Sequence, residues 1–355
     1  MIRSYSSYLS IFLICLSFSI ARNSEAQINA KMFDQQLPIL LDSALIPGIS
    51  LALIEGDRIA YSETFGYKDI TTHEEVDKNT IFEAASLTKP VVAYCAMKMV
   101  EDGKLDLDKP LYQYLEYPPV ANDERYKMIT TRLVLSHATG FPNWRKDRSS
   151  DQMKMKFEPG SKFGYSGEGF VYLQKVMEKL EGKDLSTIVE EWVFRPLQMK
   201  HSSLVFPDTK NYATGHNSKN EPNQKYKPSS PNAAYSLHTT SEDYAKFLVE
   251  LMQPHLIRKE SISQMTSQQI LMNSEDPSLG WGLGLGINTT ATDRYFWHWG
   301  DNGVFRAFFI FSPKQEKGFV YFTNSENGLS IVNRMIKMVF EDPAIMQNWQ
   351  EYKQF

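Results

Sequence analysis

The apolar and polar positions at the start of the chain predict a helix followed by a strand hairpin. Apolar side chains recur at helical spacing over residues 28–45. Two strand-like runs follow at residues 49–54 and 58–67, and a short Gly-containing turn joins them. A second helix is predicted over residues 86–102, because Gly103 follows it as a typical helix terminator.

Helices predominate in the middle of the chain, and strands return towards its end. Helical segments are predicted at residues 169–180, 185–192 and 241–251, and the polar, Pro-rich residues 217–231 predict a long surface loop. Aromatic and β-branched runs then predict strands at residues 281–287, 295–299, 304–311 and 318–323, with a last helix at 329–340. In the first of these strands glycine alternates with apolar residues, which indicates close packing against another backbone.

This order of elements predicts an α+β fold. Strands from the N- and C-terminal parts form one antiparallel sheet, helices flank the sheet, and a mostly helical lobe is inserted between them. The sheet lobe takes about residues 27–103 and 271–355, and the helical lobe about residues 104–270.

The first 26 residues have the pattern of a secretory signal peptide. Arg3 precedes an almost wholly apolar run at residues 9–21, and small residues follow at Ser24 and Ala26. The run is too short to span a membrane. We therefore expect cleavage after residue 26, no stable membrane span afterwards, and a periplasmic or secreted domain at residues 27–355; an uncleaved anchor is the alternative.

Composition excludes several classes of function. The formal net charge is -4 and no basic run is present, which argues against nucleic-acid binding. The seven histidines show no metal-ligand spacing, and the glycine series has the wrong period for a dinucleotide-binding loop, so we expect neither a metal nor a cofactor. Without the signal segment Cys95 is the remaining cysteine, and it is predicted to be a buried thiol.

The sharpest chemical pattern is Ser86-Leu87-Thr88-Lys89 at the start of a predicted helix. Residues three apart lie on one helix face, so Lys89 can reach the Ser86 hydroxyl. A serine hydroxyl needs a base to become a good nucleophile, and a lysine amine serves when burial lowers its pKa. The start of a helix also offers backbone N–H groups to an oxyanion.

The surrounding residues give this pattern its specificity. The stretch Phe82–Pro90 resembles the nucleophile segment of the serine β-lactamase and penicillin-binding protein superfamily, in the branch of class C β-lactamases, D-aminopeptidases and β-lactamase-like esterases. Four further segments match that superfamily in the expected order, at residues 133–140, 157–167, 239–244 and 297–300. The resemblance covers about residues 30–340, and it implies the roles that follow.

The resemblance implies that Ser86 is the acylated nucleophile and that Lys89 holds or relays its proton. Tyr165 is implied to be the base in acylation and the acid to the leaving group. The backbone N–H groups of Ser86 and Asp301 are implied to form the oxyanion hole.

Two departures from the superfamily pattern bear on the substrate. The tyrosine motif usually ends in asparagine, but here that position is Gly167; the third motif is usually Lys-Thr-Gly, but here it reads His298-Trp299-Gly300. These substrate-binding positions lack the permanent cation that would hold a carboxylate. A histidine here resembles the esterase and peptidase members.

Three other polar residues lie near these motifs. Arg306 is a solvated strand-edge residue or a supplier of charge to the site. His137 is predicted to bond to backbone in the helical lobe. Glu168 is either a polar neighbour of the site or an exposed side chain.

The sequence therefore predicts a serine acyl hydrolase acting on a small ester, amide or peptide substrate. The alternatives are a β-lactamase or D-Ala-D-Ala carboxypeptidase, and a penicillin-sensing module that is acylated without turnover. Oligomeric state stays open, and no Gly-x-Ser-x-Gly motif indicates an α/β-hydrolase.

Overall fold

The first elements have the predicted order. The computed structural model describes residues 30–145, 152–223, 227–342 and 344–345, so the predicted signal peptide lies outside the described residues. Helix α1 covers residues 30–43. Strands β1 (Gly48–Glu55) and β2 (Arg58–Asp69) form the predicted antiparallel hairpin.

In the described residues, nine strands form one antiparallel sheet that joins N-terminal and C-terminal parts of the chain. Besides β1 and β2, its strands are β3 (Glu74–Glu75), β6 (Ile270–Asn273), β7 (Asp276–Trp281), β8 (Gly286–Thr289), β9 (Arg294–Asp301), β10 (Arg306–Ser312) and β11 (Lys317–Thr323). The order across the sheet is β3-β2-β1-β11-β10-β9-β8-β7-β6. Strand β1 pairs with β11, with Leu51 opposite Tyr321.

The remaining elements pack on the two faces of this sheet. A second, two-stranded sheet pairs β4 (Phe82–Ala85) with β5 (Leu237–Thr239). The helices are α2 (Thr88–Glu101), α3 (Thr131–Leu135), α4 (Gly167–Glu181), α5 (Leu185–Val189), α6 (Ser241–Met252), α7 (Lys259–Met265) and α8 (Val332–Val339).

Side-chain alternation along the central strands supplies both cores. Phe308 and Ile310 of β10 are buried in one cluster with apolar residues of α1 and α8. Phe309 and Phe311, which point the other way, are buried in the cluster that includes α2, α4 and α6. Covering both faces with helices explains why β10 is apolar at nearly every position.

Several predicted boundaries shift for local reasons. The predicted helix at 86–102 begins as α2 at Thr88, because Ser86 and Leu87 form the turn that follows β4. After Val189 the predicted helix at 185–192 continues as a π-turn, Glu190–Phe194. The described residues between 217 and 231 contain no helix or strand element, in agreement with the predicted loop.

The prediction of one strand over residues 281–287 is wrong. Strand β7 ends at Trp281, β8 begins at Gly286, and the chain turns between them with Gly284 at a φ of 85°. A Cβ on Gly284 would collide with Ala93 of α2, and one on Gly282 with the carbonyl oxygen of Met265. The glycines therefore permit close packing as predicted, but in a turn.

Two further observations concern the chain as a whole. None of the described helices is both long and apolar enough to cross a bilayer. Cys95 is fully buried in α2, which confirms the predicted buried thiol, and burial raises the pKa of that thiol.

Candidate active site

Ser86 lies on a braced turn between β4 and α2. The residue before it, Ala85, has a φ of 49°, a left-handed conformation that is uncommon for a residue with a Cβ. The Thr88 hydroxyl donates to the Ala85 carbonyl oxygen at 2.6 Å and accepts from the backbone N–H of Leu237 at 3.0 Å. These two bonds tie the strained turn to β5 and hold Ser86 at the beginning of α2.

Lys89 is fully buried next to Ser86. Its Nζ atom lies 3.0 Å from Ser86 Oγ and donates to the carbonyl oxygen of Ala234 at 2.8 Å. Burial lowers the pKa of the Lys89 amine well below its usual value, because the charged form loses its hydration. A neutral amine that donates to the Ala234 carbonyl keeps a lone pair that can accept the Ser86 proton.

Tyr165 is the third member of the cluster, although it is far from Ser86 in sequence. Lys89 Nζ lies 4.7 Å from the centroid of its ring. The His137 ring lies against it at a centroid distance of 4.2 Å. His137 also fixes the loop, because Ser166 N–H donates to His137 Nδ1 at 3.1 Å and Gly164 N–H donates to the His137 carbonyl oxygen at 2.8 Å. The predicted backbone role of His137 is confirmed.

His298 is buried as a neutral imidazole beside this cluster. A carbonyl oxygen can only accept, so the 2.7 Å contact between His298 Nδ1 and the Trp299 carbonyl places the ring hydrogen on Nδ1. Burial, together with the nearby Lys89, lowers the pKa of His298 to about 3. Nε2 is thus an acceptor, and within the described part of the chain no group hydrogen-bonds to it.

The other two residues of this motif shape the site without charge. The half-buried Trp299 indole lies beside Tyr165, with ring centroids 4.9 Å apart. A Cβ on Gly300 would lie 2.5 Å from the carbonyl oxygen of Ala84. Glycine therefore allows β9 to approach β4, which brings Asp301 close to the strand that leads to Ser86.

A hydrogen bond that the sequence does not predict joins the turn after β9 to β4, the strand before Ser86. Asn302 Nδ2 donates to the carboxylate of the buried Glu83 at 2.7 Å. This contact joins the residue after Asp301 to the strand that ends next to Ser86. Residues 219 apart in sequence form it, and no pattern within either segment indicates their pairing.

The interpretation of Arg306 as a solvated strand-edge residue is wrong. Arg306 is only 6% exposed, and Nη1 contacts Asp301 Oδ1 at 2.5 Å and also the Gly303 carbonyl oxygen. The guanidinium is therefore not solvated. It is held within the β9–β10 turn because that turn supplies both a carboxylate and a carbonyl acceptor.

Gly167 and Glu168 begin α4 behind Tyr165. Glu168 is 2% exposed, which excludes the exposed interpretation, and its Oε1 accepts from the backbone N–H and Nε of Arg145, both at 3.1 Å. A Cβ on Gly167 would lie 2.5 Å from the Trp144 ring. Trp144 lies outside the sequence motifs, and only folding brings its ring against Gly167.

The chain is similar to known proteins over most of its length. A sequence model described as Beta-lactamase matches residues 33–337. Protein flp of Staphylococcus aureus (strain MW2) is 22% identical over 82% of this chain, and the chain spans only 63% of that relative. A beta-lactamase of Yersinia enterocolitica is 24% identical over 73% of this chain and 70% of its own length.

Solved structures share the fold at low sequence identity. A class C beta-lactamase superposes with a TM-score of 0.74 at 20% identity, covering 89% of this chain and 97% of that one. The D-alanine carboxypeptidase AmpC of Burkholderia cenocepacia gives 0.72 at 19% identity, covering 88% and 99%. The predicted α+β fold and superfamily resemblance are confirmed. With a family match over most of its length, the chain belongs to the beta-lactamase family and has the fold of the beta-lactamase-like serine hydrolases.

Proposed function

We propose that this chain hydrolyses small esters or amides through an acyl-enzyme on Ser86. The observation that carries the proposal is the fully buried Lys89 amine, 3.0 Å from Ser86 Oγ, with its pKa lowered by burial. A neutral amine can take the serine proton, which a protonated surface lysine cannot do.

The proposed acylation moves one proton from serine to the leaving group. Ser86 Oγ attacks the substrate carbonyl carbon while its proton passes to the Lys89–Tyr165 pair. The N–H groups of Ser86 and Asp301 bind the oxyanion that forms. When the tetrahedral intermediate collapses, the bond to the leaving group breaks, and the pair returns the proton to that group. An ester to Ser86 Oγ remains.

Deacylation repeats these steps with water as the nucleophile. Water attacks the acyl carbon and gives a proton to the same pair, and the pair returns it to Ser86 Oγ as the acid departs. No metal or cofactor takes part in this scheme. The three side chains account for every proton moved, and the two backbone N–H groups stabilise the oxyanion.

The chemistry of His298 supports a neutral substrate. This position is usually a lysine in the superfamily, and a cation there would attract a carboxylate. The buried His298 imidazole, with a pKa of about 3, stays uncharged at neutral pH. We therefore propose neutral esters or amides over carboxylate-bearing β-lactams and D-alanyl peptides.

Two alternative functions also have specific support. The names of the relatives favour a β-lactamase or a D-alanine carboxypeptidase. A module that is acylated without turnover would need the same Ser86 and Lys89, and differs in the fate of the acyl-enzyme. The predicted signal peptide at residues 1–26 supports a periplasmic or secreted location for any of them.

A turnover panel on the purified protein separates these functions. The substrates are an activated short-chain ester, a chromogenic cephalosporin and a D-alanyl peptide, each measured with wild type and Ser86→Ala. Ester turnover that Ser86→Ala abolishes supports the proposal. Faster cephalosporin or peptide turnover would favour the first alternative, and one stoichiometric burst without turnover the second. Equal rates in wild type and Ser86→Ala would refute Ser86 as the nucleophile.

A further inference from the structure

The turn between β9 and β10 carries an Asn-Gly dipeptide, Asn302-Gly303, and the sequence contains a second one at Asn327-Gly328. An asparagine followed by glycine can lose its side-chain amide, because the next backbone nitrogen attacks the amide carbon and closes a succinimide ring. Glycine favours this attack, since it has no Cβ to hinder the nitrogen. The two dipeptides share this chemistry, so the fold decides which of them reacts.

The fold leaves the dipeptide Asn302-Gly303 accessible. Asn302 is half-buried, Gly303 is exposed, and a Cβ on Gly303 would meet no described atom within 4 Å. The Val304 N–H donates to the Asn302 carbonyl oxygen at 3.1 Å, and Gly303 has a φ of 78°, so the chain makes a tight γ-turn here. There is therefore room beside Gly303 for a succinimide ring and for the water that opens it.

A carboxylate faces the nitrogen that would attack. Gly303 N–H donates to Asp301 Oδ1 at 2.9 Å. The nitrogen must lose this hydrogen as it bonds to Asn302 Cγ, and Asp301 is placed to accept it as a general base. The Cγ–Nδ2 bond then breaks, and ammonia leaves with that proton. Water opens the ring to aspartate or isoaspartate, so the net reaction consumes one water and releases one ammonia.

The second dipeptide is packed against this reaction. Gly328 is buried, and its N–H donates to the Ser325 carbonyl oxygen at 3.2 Å. A Cβ on Gly328 would collide with Thr323 Oγ1, so the space around its nitrogen is already occupied. Ring closure at Asn327 would require this packing to open.

Deamidation of Asn302 would reverse the contacts that hold its turn in place. Asn302 Nδ2 donates to Glu83 Oε2 at 2.7 Å and to the Tyr235 carbonyl oxygen at 3.4 Å. Both partners are acceptors, so an oxygen in place of the nitrogen loses both bonds and brings two carboxylates together. Glu83 is only 6% exposed, and water therefore screens this repulsion poorly.

We propose that Asn302 is a site of spontaneous deamidation, and that the aspartate or isoaspartate formed there slowly inactivates the enzyme by releasing the β9–β10 turn from β4. The modification itself depends only on the turn. The loss of activity rests on the proposed hydrolase function, because it acts through the position of the Asp301 N–H. The active lifetime of the enzyme is then limited by a covalent change in its own oxyanion turn.

Ageing of the purified chain tests the modification. Wild type is held at pH 8 and 37 °C for several days, and samples are digested with trypsin under mildly acidic conditions that limit further deamidation. Asn302 lies in the tryptic peptide of residues 295–306 and Asn327 in that of residues 318–334, so mass spectrometry measures them separately. We expect Asn302 to convert several-fold faster than Asn327, and the two rates to become comparable once urea unfolds the chain.

Three variants connect the modification to activity. Gly303→Ala places a Cβ beside the attacking nitrogen, so it should slow both the conversion and the fractional loss of ester kcat several-fold. Gly56→Ala is the matched control, because Gly56 is also a turn glycine at positive φ, 66°, with open space around a Cβ, and no asparagine precedes it. Asn302→Asp supplies the product directly, and its kcat should lie about tenfold or more below that of wild type before any ageing.

The outcomes separate this site from the proposed function. Asn302 that stays intact in the folded protein while it converts in urea, or that converts no faster than Asn327, would overturn the site. Conversion with full ester turnover, or wild-type kcat in Asn302→Asp, would overturn the inactivation. Absence of ester turnover in fresh wild type, or turnover that persists in Ser86→Ala, would overturn the proposed function. The site is then decided by mass spectrometry, and release of the turn by a lower urea midpoint of Asn302→Asp.

Discussion

At the scale of single residues, burial changes the protonation of two common side chains. Lys89 and His298 are both fully buried, and in both burial lowers the pKa. We propose different consequences: Lys89 serves as a base within reach of Ser86, whereas His298 is neutral near pH 7. A sequence identifies the residue types, but the pKa shifts arise from the packing around them.

The lowered pKa of Lys89 predicts an acid limb in the pH–rate profile. As pH falls through this lowered pKa, the amine gains a proton and can no longer accept one from Ser86. We expect ester kcat/KM to decline there, well below pH 10.5. Lys89→Arg should lose activity by about 10²–10⁴-fold at every pH, because a guanidinium does not deprotonate.

Steady-state kinetics from pH 4 to 10 provide the measurement. His298→Gln is the control for assignment, since a group with a pKa of about 3 contributes no limb above pH 5. An acid limb that disappears in His298→Gln while Lys89 is intact would contradict the assignment to Lys89.

The lowered pKa of His298 predicts a loss of stability in acid. The unfolded chain binds a proton on this histidine below about pH 6.5, but the folded protein does so only near pH 3. The unfolded state therefore holds more protons between these values, and the free energy of unfolding falls as pH decreases through that window. The full difference is on the order of 5 kcal/mol.

Urea unfolding at pH 7 and pH 4 measures this effect. We expect His298→Gln to lose less stability than wild type between the two values, because glutamine does not titrate. His73→Gln, at an exposed histidine, is the matched control and should follow wild type. Identical losses in wild type and His298→Gln would contradict the lowered pKa of His298 in the folded protein.

At the scale of elements, the site depends on how closely β9 approaches β4. Gly300 permits the approach, and the Asn302–Glu83 hydrogen bond fastens the β9–β10 turn to the strand before Ser86. Asp301 lies between these two contacts, so both fix the position of its backbone N–H. We therefore propose that Asn302 is a positioning residue for that N–H.

Removing this fastening should slow the chemical step more than it weakens binding. We expect Asn302→Ala to lower kcat about tenfold with a smaller change in KM, since one misplaced oxyanion donor costs a factor of 10²–10³ when lost entirely. Stability should fall by about 1–3 kcal/mol, because buried Glu83 loses a hydrogen bond.

Conservative and disruptive changes at Glu83 give the comparison. Glu83→Gln keeps an acceptor for Asn302 and should retain most of kcat, whereas Glu83→Ala should resemble Asn302→Ala. Steady-state kinetics and urea unfolding of the three variants measure this. Equal kcat values in Glu83→Ala and wild type would show that the contact does not position the oxyanion hole.

The same elements show what local sequence can and cannot predict. The first hairpin, α4 and α6 follow directly from apolar spacing, and Ser86 and Lys89 follow from one short motif. The alternation of glycine with apolar residues at 282–285 predicts a strand. The structure has a turn there, with Gly284 at positive φ, which the alternation does not reveal. Trp144 lies outside every motif, and only folding brings Gly167 and Tyr235 against it. The partners of Arg306 lie three and five residues before it, but the sequence pattern does not show that the side chain folds back onto its own turn.

At the scale of the whole molecule, the sheet brings the two ends of the chain together around the site. Pairing of β1 with β11 joins strands more than 250 residues apart, and β9 then carries His298 and Asp301 to the β4–α2 turn. The loop carrying Tyr165 comes from between α3 and α4, on the helical side. The site therefore exists only in the complete fold, which fits a family match extending from residue 33 to residue 337.

The central proposal is that the hydroxyl oxygen of Ser86 is the nucleophile of a hydrolase. Covalent labelling tests it most directly. Wild type, Ser86→Ala and Lys89→Arg are each incubated with an activated fluorophosphonate, and adducts are located by intact-protein and peptide mass spectrometry. We predict one adduct per wild-type chain on the peptide containing Ser86, much slower labelling of Lys89→Arg, and none of Ser86→Ala. A stoichiometric adduct on another residue, or equal labelling of Ser86→Ala, would contradict the account.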